Sequence, residues 1–218
     1  MILPGNVENA IAGVPGFDSD TIITASAAAQ FYALGYKFCL RYLSLGSTQS
    51  PQDLSASEAT NILSSGLALM PVQHVRAPGW SPSQALGQQD GQNASTNAQD
   101  IGFPAGVNLW CDLEGVNAAS AQSDIINYCQ SWYSMVSGAG YVPGLYVGAA
   151  AQLHGDQLYA LPFQHYWKSQ SSVPAIPNRG YQMVQFLPSV TANGIAIDLD
   201  FTQIDNLGGQ AIWLRVVG

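Results

Sequence analysis

LWCDLEG, residues 109–115, carries an apolar run into two carboxylates one residue apart, with a glycine directly after them. Strands disfavour Asp and Glu, and like charges set close together repel. In an extended strand, however, Asp112 and Glu114 face the same side, with Cα atoms about 6.5–7 Å apart. The pair therefore makes sense where a buried strand ends on an opening and delivers both side chains into it.

Working outward from this strand, short apolar segments alternate with helical patterns. Residues 12–18 (AGVPGFD) read as a first strand, and TASAAAQFYALG (24–35) as a helix with Thr24 as its cap and Gly35 as its stop. YKFCLRYL (36–43) is the second strand. LSASEATNILSSG (54–66) is a helix in which Ser55 and Glu58 have capping-box spacing and Gly66 ends the run. LALMPVQH (67–74) is the third strand, and a weaker helix spans 83–102. The quoted stretch lies in the fourth strand, 107–114. A long helix over about 120–137 leads to a fifth, YVPGLYVG (141–148). QHYWKS, YQMVQFLP and GIAIDLDF follow at short intervals, and QSSVPAIPNRG between two of them has prolines that forbid a regular crossover helix.

Eight strands with intervening helices predict an α/β fold, a compact (β/α)8 TIM-like barrel with shortened or missing helices in its C-terminal half, as one domain over residues 1–218. An open doubly wound sheet is the competing architecture. A nucleotide-binding version of it would need a glycine-rich turn after the first strand, and GFDSDTIIT has none.

In a barrel the C-terminal strand ends converge on one mouth. They carry Asp18, Arg41, Tyr42, Gln73, His74, Asp112, Glu114, Tyr146, Trp167, Gln185, Asp198 and Asp200. Crowded carboxylates raise at least one pKa, and a carboxyl group still protonated near neutrality is what donation to a glycosidic oxygen requires. A second, ionised carboxylate stabilises the oxocarbenium-like state, attacks it, or activates water. Asp18, Asp112, Glu114 and Asp198 are the candidate catalytic set. Arg41, Tyr42, Gln73, His74, Tyr146, Trp167, Gln185 and Asp200 are candidate substrate contacts, and Trp80 and Trp167 candidate sugar-stacking rings. Plainer roles stand beside these. Asp112 and Glu114 would also serve as a helix cap or as ion-pair partners of Arg41, Asp18 and Asp198 as turn residues, and His74 as a structural histidine.

The rest of the chain narrows the classes. Charged residues are 9% of 218, far below the usual ~25%, and the net charge is −8 with six scattered basic residues. That excludes a phosphate-backbone footprint and suits a neutral, polyhydroxyl ligand such as a polysaccharide. No apolar run reaches the ~20 residues of a membrane span, so membrane insertion is not expected. The N-terminal residues lack a signal-peptide pattern. Cys39, Cys111 and Cys129 lie in apolar sequence without CxxC spacing, and His154 and His165 form no HExxH pair, so neither zinc nor any other cofactor is expected. Cys111 alternates away from Asp112, and no G-x-S-x-G elbow occurs. Carboxylate-bound Mg²⁺ or Ca²⁺ with phosphoester chemistry is a further alternative. Oligomeric state leaves no trace in the sequence.

GFD on the first strand, F-x-x-RY on the second, LSASEATNILSSGLALMPVQH, the D-x-E of WCDLEG, the V-Q-F strand and I-D-L-D together resemble, over residues 13–201, a glycoside-hydrolase-like barrel family described as a domain of unknown function. That family is similar to the family 25 lysozymes, which cleave peptidoglycan between N-acetylmuramic acid and N-acetylglucosamine. The resemblance implies a muramidase activity in the extracellular or cell-wall compartment. It implies Glu114 as general acid, Asp112 as its D-x-E partner, Asp18 and Asp198 as first- and last-strand aspartates, and Gln185 as a glutamine near the site. Arg41-Tyr42 follows the less characterised family. The same barrel with weak or lost chemistry, acting as a wall-binding module, is the other expectation.

Overall fold

The computed structural model describes residues 2–216. Strand β1 (Asn6–Asn9) is followed by β2 (Pro15–Ser19), α1 (Ala25–Ala33), β3 (Phe38–Leu43), α2 (Ala56–Ser64), β4 (Ala68–Gln73), α3 (Gln84–Ile101), β5 (Asn108–Leu113), α4 (Gln122–Gly138) and β6 (Val142–Val147). Then come α5 (Gly155–Ala160), β7 (His165–Lys168), β8 (Met183–Ala192), β9 (Ile195–Thr202) and β10 (Ile212–Arg215). Strands β2 to β9 pair in chain order, and β9 returns to β2, closing an eight-stranded barrel.

Residue alternation sorts the side chains into two cores. Phe38, Leu40, Met70, Val72, Trp110, Trp167 and Met183 fill the barrel, whereas Phe17, Cys39, Leu69, Leu109 and Cys111 face the helices. The β1–β10 ribbon lies at the N-terminal ends of the strands. There Trp213 packs 5.7 Å from the Phe38 ring and closes the bottom of the barrel. Clefts open at the opposite end.

The helices end where local chemistry indicates. Thr24 and Ser55 accept hydrogen bonds from Ala27 N and Glu58 N. The second half of the expected capping box is absent, because the Glu58 carboxylate turns inward to Arg41 Nε at 2.7 Å and Ile23 N at 2.8 Å. No helix intervenes between β7 and β8, and the last helix, α5, is six residues long.

One strand departs from the all-parallel expectation. β9 is antiparallel to both β8 and β2. Asn193 and Gly194 alone join it to β8, both at positive φ (52° and 76°). Two such residues make a hairpin turn, and a parallel crossover needs a dozen or more. Asn-Gly was the readable signal, and it places the N-terminal half of β9 at the open end.

Candidate active site

The mouth is built from inward-facing residues at the upper ends of the strands. Asp18 on β2 sits directly opposite Asp198 on β9. Its Oδ1 accepts from the Tyr42 hydroxyl at 2.8 Å and its Oδ2 from Gln185 Nε2 at 2.8 Å. The same Gln185 nitrogen reaches Asp198 Oδ2 at 3.3 Å. Tyr146 O–H donates to Gln185 Oε1 at 2.7 Å, which fixes the amide with its nitrogen toward the acids. β3, β6 and β8 thus cooperate to hold one carboxylate of β2.

Asp112 is the last inward-facing residue of β5, and its buried Oδ1 has no hydrogen-bond partner among the described residues. Glu114 stands further out and half-buried, on the chain as it leaves the strand. Its carbonyl accepts from Trp80 Nε1 at 2.8 Å, and Gly115 takes φ +63° to turn the chain away. Gly148 makes room for the Glu114 side chain, since a Cβ there would lie 2.4 Å from Oε2. Two clefts, about 280 and 220 Å³, meet over Tyr42, Asp112, Glu114 and Asp198. One extends to Asp20, His74 and Ser189, the other to Tyr146, Ser169 and Ser171.

No Lys or Arg lines either cleft, and the electrostatics follow. Burial pushes Asp18 up from 3.8 to about 6, opposed by the Gln185 hydrogen bond and assisted by the Asp198 charge. Burial, then the charges of Glu114 and Asp18, hold Asp112 well above the usual carboxylate range. Glu114 is raised by burial and by Asp198. Burial also raises Tyr42 far above its ordinary value, so it remains an O–H donor. Carboxyl groups that keep protons, beside others that lose them, can act as acid and base.

Of the residues expected at the mouth, Asp18, Tyr42, Asp112, Glu114, Tyr146, Gln185 and Asp198 assemble there. His74 sits at the rim, stacked on Tyr42 at 4.6 Å and bonded to Asp53 at 2.9 Å. Arg41 and Gln73 do not reach the mouth. Adjacent strand residues point to opposite faces, so Tyr42 turns in and Arg41 turns out to Glu58, while Gln73 accepts from Trp132 of α4. Trp167 and Asp200 point inward but lie fully buried below the mouth, bonded to each other at 2.8 Å, out of reach of a sugar. Trp80 likewise is no stacking platform, because its ring packs on Tyr128 at 4.9 Å and its N–H anchors Glu114.

Asp20, Ser169, Ser171 and Ser189 were not foreseen. Asp20 follows Asp18 at the same-face spacing, which was legible, whereas the serines depend on where loops and the hairpin return. Among the described residues no cluster of three or more His, Cys, Asp or Glu side chains is arranged to hold a metal ion, and no helix is long and apolar enough to cross a membrane.

A family model described as "Rv2525c-like, glycoside hydrolase-like domain" matches residues 29–205. Among solved structures, the Tat-secreted protein Rv2525c of Mycobacterium tuberculosis, in complex with L-tartrate, is similar with TM-score 0.67 at 17% identity, over 88% of this chain and 96% of that one. An uncharacterized B. stearothermophilus protein gives 0.63 at 22%, over 88% and 96%. A muramidase from Trichobolus zukalii gives 0.63 at 16%, over 87% and 93%. These likenesses concern the fold. No curated protein matches the chain.

Proposed function

The chain belongs to the Rv2525c-like, glycoside hydrolase-like domain family, and from that premise we propose that it is a muramidase-like glycosidase that hydrolyses cell-wall peptidoglycan through the carboxylates of the barrel mouth. The observation that carries the reading is the convergence of Asp18, Asp112, Glu114 and Asp198 on one open cleft with no Lys or Arg beside them. Ion pairing would hold such groups ionised. Burial and neighbouring charges instead raise the proton affinity of Asp18, Asp112 and Glu114.

Glu114 is the general acid. It is the raised carboxyl group with the greatest access to the cleft, and it protonates the glycosidic oxygen as the bond breaks. Asp18 has both oxygens engaged, by Tyr42 and Gln185, and acts as a fixed negative charge under the developing cation. Asp198 keeps Oδ1 free of partners, and it stabilises that cation from its other side or takes the proton of the attacking water. Asp112, raised by burial and by the charge of Glu114, tunes the acid.

The expected partner is a polysaccharide, in keeping with clefts lined by hydroxyl and carboxyl groups and with muramidases among the structural neighbours. Action in the extracellular or wall compartment fits a secreted neighbour. Incubation with purified wall tests the reading. The protein should release reducing sugar, and Glu114→Gln should abolish release with an unchanged circular dichroism spectrum. Saturable wall binding without release by either protein selects the binding-module alternative, and undiminished release by the variant ends the proposed acid role.

A further inference from the structure

Below the mouth, the buried Asp200 carboxyl group has a role that neither substrate contact nor packing accounts for. It lies on β9, opposite Gly16 on β2 and Gln185 on β8, one inward position deeper than Asp198. Its Oδ1 accepts from Trp167 Nε1 at 2.8 Å, and its Oδ2 is buried with no donor. Asp18 on β2, Asp198 on its own strand and Trp167 on β7 face it, and among the described residues no Lys, Arg or His forms an ion pair with it. Asp18, two residues beyond Gly16 on β2, is the diagonal neighbour of Asp200 on the inward face of the β2–β9 pair, at a spacing side chains can bridge.

An ionised carboxylate in this position would hold a negative charge in a dry core against a second carboxylate, with one oxygen unsatisfied, which is the most expensive arrangement available. A protonated carboxyl group removes the charge, and its O–H finds an acceptor in the neighbouring acid. We propose that Asp200 is a neutral carboxylic acid that donates its proton in a hydrogen bond to Asp18, making it a positioning residue that fixes Asp18 from below while Tyr42 and Gln185 fix it from the sides.

The proton stays on Asp200, and Asp18 receives a third donor that favours its ionised form. Burial drives both groups upward, and the shared proton divides them into one acid kept neutral and one that ionises. The value to the site is a carboxylate whose direction does not change as substrate enters. Its relevance to hydrolysis rests on the function proposed above. The hydrogen bond itself does not.

The test is therefore made first without substrate, on the whole chain labelled with ¹³Cγ-aspartate. The resonance lost in Asp200→Asn should hold the protonated shift through neutrality, and the one lost in Asp18→Asn should titrate. Asp200→Asn keeps a donor and should leave the Asp18 midpoint in place. Asp200→Leu keeps the volume but no donor, and should raise that midpoint by about one unit, roughly tenfold in proton affinity. A purely structural Asp200 would alter stability without separating Asn from Leu. An ionised Asp200 resonance at neutrality overturns the proposal, as does an Asp18 midpoint that Asn and Leu move equally. If the leucine variant does not fold, the wild-type resonance decides. A kinetic arm follows: the acid limb of kcat/KM should move upward with the Asp18 midpoint in the leucine variant only. Failure of that arm alone counts against the mechanism and leaves the hydrogen bond standing.

Discussion

The outer and inner faces of the barrel strands treat carboxylates in opposite ways. Outside, among the helices and loops, buried acids have cations: Glu58 meets Arg41 at 2.7 Å, Asp90 meets Arg76 at 2.5 Å, and Asp205 meets Arg179 at 3.1 Å. Inside, Asp18, Asp112, Glu114, Asp198 and Asp200 have none. β3 shows the contrast within two residues. Arg41 leaves the barrel to neutralise Glu58, and Tyr42 enters it with a neutral hydroxyl for Asp18. The chain has few cations and places three of the six outside the barrel in ion pairs with buried acids. What separates the two sets is therefore the partner. The paired acids hold elements together, and the unpaired Asp18, Asp112, Glu114 and Asp200 are raised in proton affinity.

Substitutions on the two faces should have different signatures. The largest effect is expected at Glu114. Replacement by Gln should lower wall hydrolysis by ~10²–10⁴-fold while the melting temperature holds or rises, and a loss of stability in step with activity would erase the distinction. Next in size is Arg41→Met on the outer face. Glu58 is left buried without its cation, which should cost about 3–5 kcal/mol in urea unfolding. Adding Glu58→Leu should recover most of that loss, since the pair as a whole is worth far less than the penalty for breaking it.

A smaller effect of opposite sign is expected inside. The folded-state value of Asp18 lies at about 6, above the ordinary 3.8, so between these values the folded chain holds more protons than the unfolded one, and unfolding free energy falls as pH rises. The stabilisation is complete below pH 4 and lost as pH climbs through about 6. Thermal melts of the wild type should drop across that window. Asp18→Asn should flatten the drop, and Asp112→Asn should raise the melting temperature at neutral pH. A wild-type curve rising with pH there would show that the mouth acids are paired after all. The smallest effect is reserved for Tyr146→Phe, which frees Gln185 Oε1 and should cost about 0.5–1.5 kcal/mol, read as a mild loss of kcat more than of stability.

Much of this could be read before any coordinates. Short apolar runs located the strands, and capping residues located α1 and α2. Asp18 and Asp198, named as first- and last-strand aspartates of the mouth, pair directly across the barrel seam. The misplacements have local and non-local causes. Naming both members of Arg41-Tyr42 and of Gln73-His74 as mouth residues overlooked alternation, which the sequence itself contains. Asn193-Gly194 carries a hairpin signal, and β9 accordingly runs antiparallel to β8 where a (β/α)8 series predicts a parallel strand. Helix α3 looked weak because Gly87 and Gly91 lower helix propensity. A Cβ at either would strike the α4 backbone, 2.2 Å from Tyr128 O and 2.8 Å from Trp132 O. Those glycines serve close packing, a reason that no local window contains.

By itself, then, the sequence determined where strands and helices form and that acids end several strands, because periodicity and capping act over a few residues. Only the tertiary structure decided which acids face each other without a cation and that Asp200 lies beneath the site and not within it. Those outcomes depend on register and depth between segments as far apart in the chain as Asp18 and Asp198, and proton affinity follows from that depth and those neighbours.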